Sequence, residues 1–131
     1  MFLYLLIALG GALGSVARFG LNGVISAHFP TFPWGTLVVN VSGSFIIGFF
    51  STLTEPGGRA FASSNTRLFF MTGICGGYTT FSSFSLQTLQ LARGGEWARA
   101  GANTVGSVVL CLVAVWLGHL CASALNQMKG S

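Results

Sequence analysis

The stretch TGICGGYTTFSSFSLQT, residues 72–88, decides how this chain folds, because it places polar groups inside an otherwise apolar segment. The paired glycines Gly76 and Gly77 predict a weak point where a helix breaks or kinks. A break leaves backbone carbonyls that must be satisfied within the protein or by an ion. Such oxygens suit a small cation such as Na⁺. A glycine kink satisfied by the hydroxyls of Tyr78, Thr79 and Thr80 explains the same residues equally well.

The composition around this stretch indicates a membrane protein. Of 131 residues, 52% are apolar and 6% are charged, whereas soluble domains carry roughly 25% charged residues to cover a water-facing surface. The net charge of +4 comes from very few residues, and no basic tract lies beside aromatic residues. The lipid bilayer is therefore an expected partner, and nucleic acid is not.

Four segments are long enough to cross a bilayer, for which a helix needs about 20 residues. Pro30 and Pro33 interrupt the chain before the second segment, and the loop EPGGRAFASSN precedes the third. We predict an all-α membrane protein with one four-helix transmembrane domain over residues 1–131, its third helix broken near Gly76-Gly77. The predicted spans are residues 2–22, 34–53, 68–92 and 97–120.

Basic residues are divided evenly between the two predicted sides of the membrane. Insertion follows the Lys/Arg asymmetry between short loops, so an even division predicts insertion in both orientations and permits an antiparallel, dual-topology homodimer. One side receives Arg59, Arg67 and Lys129, and the other receives Arg18, Arg93 and Arg99.

Small residues at four-residue spacing also favour close helix contacts. Four short helices cannot easily enclose a polar route while shielding it from lipid, so we expect a homo-oligomer. Packing within one subunit explains the spacing as well as packing between subunits does. The sets are Gly10 and Gly14, Ser44 and Gly48, and Ala98, Ala102 and Gly106.

Phe81 and Phe84 lie three residues apart, on one face of a helix. Two phenylalanines in a membrane helix usually face lipid or the core. Here hydroxyls such as those of Thr80 and Ser83 surround both rings, and the positive edge of a phenyl ring can favour a small anion. Donors and ring edges without a fixed cation bind an anion weakly enough to let it leave, as conduction requires.

Polar side chains also occur in the other spans, where their burial in lipid is costly. The Asn40 amide can donate two hydrogen bonds. They either join neighbouring helices or point into a polar pathway across the membrane. Asn103, Ser107 and Cys111 form a mildly polar stripe on the fourth span. Arg18, near the end of the first span, either snorkels to the interface or presents positive charge to an anion vestibule.

Several function classes are disfavoured by what the sequence lacks. Glu55 and Glu96, the only acidic residues, fall in predicted loops, whereas a proton-coupled exporter generally needs a carboxylate inside the membrane. Cys75, Cys111 and Cys121 show no CxxC spacing, so we expect small apolar core residues rather than metal ligands or a disulfide. No nucleophile–base pair or phosphate-cradling loop is evident, and we do not expect an enzyme.

Three motifs carry a family resemblance: GGYTTFSSFS at residues 76–85, GTLVVN at residues 35–40 and GGALGSVAR at residues 10–18. In order and spacing, over nearly the whole chain, they resemble the Fluc (CrcB-like) family of small dimeric fluoride channels. The resemblance implies an antiparallel homodimer with two pores and a structural, untransported Na⁺ at its centre. It also implies passive F⁻ export across a bacterial inner membrane, which lowers cytoplasmic fluoride.

The resemblance assigns roles by position. The carbonyls of Gly76 and Thr79 would coordinate Na⁺, and Arg18 matches a basic residue at the end of the family's first helix. Cys111 replaces a usual hydroxyl residue, and selectivity for F⁻ over Cl⁻ follows from the resemblance alone. A proton-coupled small exporter and a non-transporting membrane scaffold are the alternatives. The pore residues implied are Phe81, Phe84, Asn40, Ser83, Thr80, Ser107 and Asn103.

Overall fold

The structure is a computed structural model that describes residues 1–129. Within these residues all regular secondary structure is helical. The third predicted span is divided among several short elements, whereas each of the other three lies in one helix. In chain order the elements are α1 (Phe2–His28), α2 (Trp34–Leu53), α3 (Ser64–Arg67), a π-helical segment (Leu68–Cys75), α4 (Gly76–Tyr78), α5 (Phe81–Arg93) and α6 (Trp97–Lys129).

Three of these helices, α1, α2 and α6, are long and apolar enough to cross a membrane. They expose many large apolar side chains, among them Leu9 and Leu13 on α1 and Leu112 on α6. Such surface is costly in water and natural in lipid. α1 and α6 run past the predicted span ends at residues 22 and 120, because a helix satisfies its own backbone and need not stop at the membrane surface.

The interruption in the third predicted span lies at Thr79 and Thr80 rather than at Gly76-Gly77. Gly76 has helical dihedral angles (φ −63°, ψ −37°), and the Thr79 N–H still donates to the Cys75 carbonyl at 3.0 Å. Thr79 and Thr80 then adopt extended conformations, with φ/ψ of −84°/156° and −150°/116°. Residues 64–78 and 81–93 are therefore two helical halves joined by an extended link.

The glycines near the interruption serve close packing between helices, which is why the helix continues through them. A Cβ added at Gly77 would lie 2.5 Å from the Gly11 carbonyl oxygen, and one added at Gly14 would lie 2.7 Å from the Tyr78 nitrogen. Gly10 approaches the backbone of the π-helical segment as closely. α1 therefore packs directly on the backbone of the first helical half, as small residues in membrane helices permit.

The other two small-residue sets behave differently from each other. A Cβ added at Gly48 of α2 would lie 2.9 Å from Cγ2 of Val115 on α6, so this set packs within the chain. Gly106 has open space around it, and Ala98 and Ala102 are exposed. The α6 set therefore faces away from the rest of the subunit.

The loop between α2 and α3 is bound to the far end of α6. The Asn126 side chain accepts from the Arg59 backbone N–H at 2.7 Å and donates to the Thr52 carbonyl at 2.9 Å. The Thr52 hydroxyl pairs in turn with Nδ1 of His119 at 2.8 Å. These bonds join the loop, the end of α2 and the last turns of α6 into one unit.

All three cysteines are free thiols. Cys75 is buried, Cys111 is half-buried and Cys121 is exposed. The expectation of a core position is therefore wrong for Cys121, which lies on an outward-facing side of α6. Among residues 1–129, no three His, Cys, Asp or Glu side chains lie close enough together to hold a metal ion.

Candidate functional site

Asn40 of α2 pairs with both backbone groups of Thr80 at the interruption. Its Nδ2 donates to the Thr80 carbonyl at 3.0 Å, and its Oδ1 accepts from the Thr80 N–H at 2.8 Å. The amide oxygen thus replaces the helical acceptor that the Thr80 N–H lacks, and Nδ2 adds a donor to the carbonyl of this N-cap residue. Leaving such groups unpaired away from water would cost about 1–3 kcal/mol each. Asn40 therefore stabilises the extended link.

The interruption leaves several carbonyls without their helical partners, among them those of Gly76 and Thr79. The Gly76 carbonyl would accept from the Thr80 N–H in a continuous helix, but Asn40 takes that N–H. The Thr79 carbonyl loses its partner in the same way, because the Ser83 N–H donates to the Thr80 hydroxyl at 3.2 Å. Gly76 and Thr79 are the residues to which the family resemblance assigns cation binding. Backbone carbonyl oxygens are ligands that hard cations accept.

A cavity of about 370 Å³ lies beside the interruption. Nδ2 of Asn40 carries two hydrogens and gives one to Thr80, so the second can be donated to a ligand in the cavity. The lining residues, all within the described part of the chain, include no carboxylate. The predicted site residues that line the cavity are Asn40, Gly76, Thr79, Thr80, Phe81, Phe84 and Ser107, and Cys111 joins them.

The two phenylalanines contact each other but differ in environment. Their ring centroids are 5.3 Å apart with an interplanar angle of 52°, so the rings are tilted rather than stacked. Phe84 is 8% exposed and belongs to the core of the chain, whereas Phe81 is 76% exposed. The cavity wall that Phe81 contributes therefore projects out of the single chain. One chain therefore leaves the cavity open on this side.

A chain of hydrogen bonds runs from the cavity between α6 and α5. The Ser107 hydroxyl donates to Oδ1 of Asn103 at 3.3 Å, and Nδ2 of Asn103 donates to the Thr88 hydroxyl at 2.9 Å. The Thr88 hydroxyl donates to the Phe84 carbonyl at 2.8 Å. Asn103 and Ser107 are buried, at 2% and 6% exposure. The predicted stripe on the fourth span is thus anchored to the helix that carries the phenylalanines.

Sequence reasoning did not single out Thr88, although a signal was present. Thr88 follows Phe84 by four residues, which places the two on one face of α5. The partner on α6, Asn103, could not be identified from α5 alone. Gln87, beside it, has a buried Oε1 for which residues 1–129 provide no hydrogen-bond donor.

Ser83 lies outside the cavity lining in this chain. Its backbone N–H donates to the Thr80 hydroxyl, which caps the first turn of α5. A cap of this kind satisfies one of the free N–H groups at the start of a helix. Thr80 therefore contributes a carbonyl and an N–H to Asn40 and a hydroxyl to Ser83.

Arg18 binds the first helical half from α1. Its Nε donates to the Gly77 carbonyl at 3.1 Å, and the side chain is half-buried. Within the described residues no carboxylate lies at ion-pair distance from Arg18. The guanidinium therefore carries an unneutralised positive charge next to the interruption, and it also holds the carbonyl that precedes Tyr78.

The comparisons with known proteins agree with one another. The family described as CrcB-like protein, Camphor Resistance (CrcB), matches residues 5–119. The chain is 68% identical over 132 residues to a protein of Opitutus terrae, covering 100% of both chains. It is 59% identical over 128 residues to a protein of Paramagnetospirillum magneticum, covering 97% of this chain and 100% of the relative. A protein of Methylocella silvestris is 58% identical over 129 residues, which is 98% of each chain. All three relatives are named fluoride-specific ion channel FluC.

Proposed function

The chain belongs to the CrcB-like family, and we propose that it is a fluoride-specific ion channel that lets F⁻ leave the cell passively. It is a multi-pass membrane protein, and we place it in the inner membrane of a bacterium because the relatives cited above are bacterial. A channel speeds no covalent reaction, so no catalytic residues are assigned.

The observation that carries the proposal is the Asn40 amide at the cavity. One N–H holds the Thr80 carbonyl, and the second is free for an anion beside the Phe81 and Phe84 rings. Neutral donors and ring edges hold a small anion without trapping it. A proton-coupled exporter needs a buried carboxylate, but both Glu55 and Glu96 are exposed.

We further propose that residues 64–93 make a fourth membrane crossing and that two antiparallel copies form the channel. The exposed Phe81 ring and the open cavity beside it are incomplete in one chain. The even division of basic residues permits the opposite orientations that such a pair requires. Each copy would then complete one of two pores with groups from the other.

A structural Na⁺ between the copies fits the Gly76 and Thr79 carbonyls, which lack helical partners. Gly76 and Thr79 would supply backbone oxygens from each chain, and a hard cation accepts such ligands. The bound ion would neutralise carbonyl dipoles that would otherwise face one another. In this arrangement Asn40 frees the Gly76 carbonyl by accepting the Thr80 N–H, and the Thr80 hydroxyl frees the Thr79 carbonyl by accepting the Ser83 N–H.

Ion efflux from liposomes containing the purified protein tests the channel. F⁻ and Cl⁻ release are followed with ion-selective electrodes while valinomycin carries K⁺. We expect rapid F⁻ release, negligible Cl⁻ release and no response to an imposed pH gradient. Release that follows the pH gradient would support the exporter instead, and no F⁻ release from the folded protein would support a scaffold.

Variants connect the flux to the site. Phe81→Ile and Phe84→Ile should each cut F⁻ flux, and Asn40→Asp should suppress it by placing a negative charge beside the anion. Phe61→Ile is the matched control, because Phe61 is exposed in the loop before α3 and lies outside the cavity. Normal flux in both cavity Phe variants would remove the rings from the mechanism. Tags on the loops should be reached from both membrane sides, and a single orientation would refute the antiparallel pair.

A further inference from the structure

Tyr78 ends the first helical half, directly before the extended link, and its phenol reaches across to α2. The Tyr78 Oη lies 2.8 Å from the Ser42 Oγ. The Ser42 hydroxyl has a single hydrogen and donates it to the Val39 carbonyl at 3.1 Å. Tyr78 is therefore the donor and Ser42 the acceptor.

The tyrosine ring fits a slot that only glycine leaves open. A Cβ added at Gly43 would lie 3.0 Å from Cδ2 of Tyr78 and would also collide with Cγ2 of Thr79. The ring and the threonine methyl thus rest on the bare backbone of α2. The phenol oxygen is fixed at the far side of this slot by Ser42.

Ser42 and Asn40 lie two residues apart on α2 and hold the two residues that flank Thr79. Asn40 holds the Thr80 backbone, and Ser42 holds the Tyr78 side chain. Thr79 itself has one described side-chain bond, to the carbonyl of Cys75 within its own helical half. The rotation of Thr79, and with it the start of α5 at Phe81, depends on both contacts to α2.

We propose that Tyr78 is a positioning residue for conduction, which acts through Ser42 by holding the extended link in register with Asn40. This inference rests on the proposed channel function. Without the phenol bond the link rotates, and the free N–H of Asn40 and the Phe81 ring no longer face one small anion together. Tyr78 is not among the residues that line the cavity.

The test measures F⁻ efflux, normalised to folded protein, from liposomes with single and double variants. Tyr78→Phe keeps the ring in its slot and removes only the oxygen. We expect its flux to fall about fivefold, the ratio that corresponds to one neutral hydrogen bond. Ser42→Ala should cause a similar fall, and the double variant should be no worse than either single one because the two groups act as a unit.

Two controls separate positioning from a general loss of structure. Ser42→Thr keeps the acceptor hydroxyl and should retain near wild-type flux, which a merely structural effect of any change at Ser42 would not allow. Tyr4→Phe removes the phenol of the other tyrosine, which is 76% exposed on α1, and should have no effect.

The outcomes that overturn the inference are distinct from failure of the channel. Wild-type flux in Tyr78→Phe, or losses that multiply in the double variant, would show that the phenol does not act through Ser42. If Tyr78→Phe does not fold, the comparison of Ser42→Ala with Ser42→Thr decides, and equal flux in those two overturns the inference. A wild-type protein that releases no F⁻ would instead refute the proposed function.

Discussion

Replacing Gly14 with alanine tests the packing of α1 on the first helical half. The new methyl group would collide with the Ile74 carbonyl oxygen and would lie 2.7 Å from the Tyr78 nitrogen. Both neighbours are backbone atoms, which cannot rotate away as the end of a flexible side chain can. Gly14→Ala must therefore separate the two helices or distort one of them.

The size of the effect follows from two opposing contributions. Overpacking of a close contact typically costs 1–3 kcal/mol, and we take about 3 kcal/mol because the colliding atoms are backbone. Alanine recovers roughly 1 kcal/mol of helix propensity over glycine. The net loss of about 2 kcal/mol corresponds to roughly a 30-fold change in the unfolding equilibrium, at 1.4 kcal/mol for each factor of ten.

The assay is reversible unfolding in mixed micelles by titration with a denaturing detergent, followed by tryptophan fluorescence at one fixed protein concentration. Gly20→Ala is the matched control, because Gly20 is exposed on α1 and a Cβ there meets nothing within 4 Å. It should be neutral or slightly more stable than wild type. F⁻ flux should fall in Gly14→Ala alone, because Gly14 contacts the residue before the extended link.

Equal stability of Gly14→Ala and Gly20→Ala would refute the reasoning. It would mean that α1 does not lie with its backbone on the first helical half. A loss in Gly14→Ala that is accompanied by wild-type flux would refute only the connection between this packing and the link.

Two further substitutions test other contacts of the site. Thr88→Val should lower stability by about 1–3 kcal/mol, because it leaves the buried Asn103 amide without its acceptor; Thr88→Ser should restore it in the same unfolding assay, and equal stability of the two variants would contradict the bond. Arg18→Gln retains a donor for the Gly77 carbonyl and Arg18→Met does not, so efflux should be largely kept in the first and lost in the second. Equal losses in both would mean that the charge of Arg18, rather than its hydrogen bond, matters.

Polarity within apolar segments was a sound guide to which residues meet at the site. Asn40, Thr80 and Ser107, which come from α2, the extended link and α6, line one cavity. The partner of Asn40 could not be predicted, because Thr80 lies 40 residues away and meets it only through the packing of α2 on the interruption. The family resemblance was confirmed by the comparisons.

The extended link begins two residues beyond the predicted glycine pair, because glycine has two uses in a membrane helix. Helix propensity predicted a break near Gly76 and Gly77, but the helix continues through both, and close approach to α1 requires the glycine at 77. The break occurs where Asn40 offers Thr80 an alternative to the helical bond. Propensity is a local property, and this competition depends on tertiary contact.

Exposure of Phe81 could not be predicted for a related reason. The spacing placed Phe81 and Phe84 on one face, and their rings do meet. Which of the two is covered depends on surfaces beyond α5, and one chain covers only Phe84. The sequence period sets the direction of a side chain but not what lies opposite it.

α6 is longer than a bilayer crossing requires. Its 33 residues span about 50 Å, whereas the hydrocarbon core is about 30 Å thick, so α6 is roughly 20 Å longer than an upright crossing needs. The Asn126 side chain bonds the loop before α3 and the end of α2 to the last turns of α6, so this loop is held in place by the helix. In an antiparallel pair each membrane face would carry the end of one α6 with its bound loop. An antibody against this surface would then bind from both the inside and the outside of the cell.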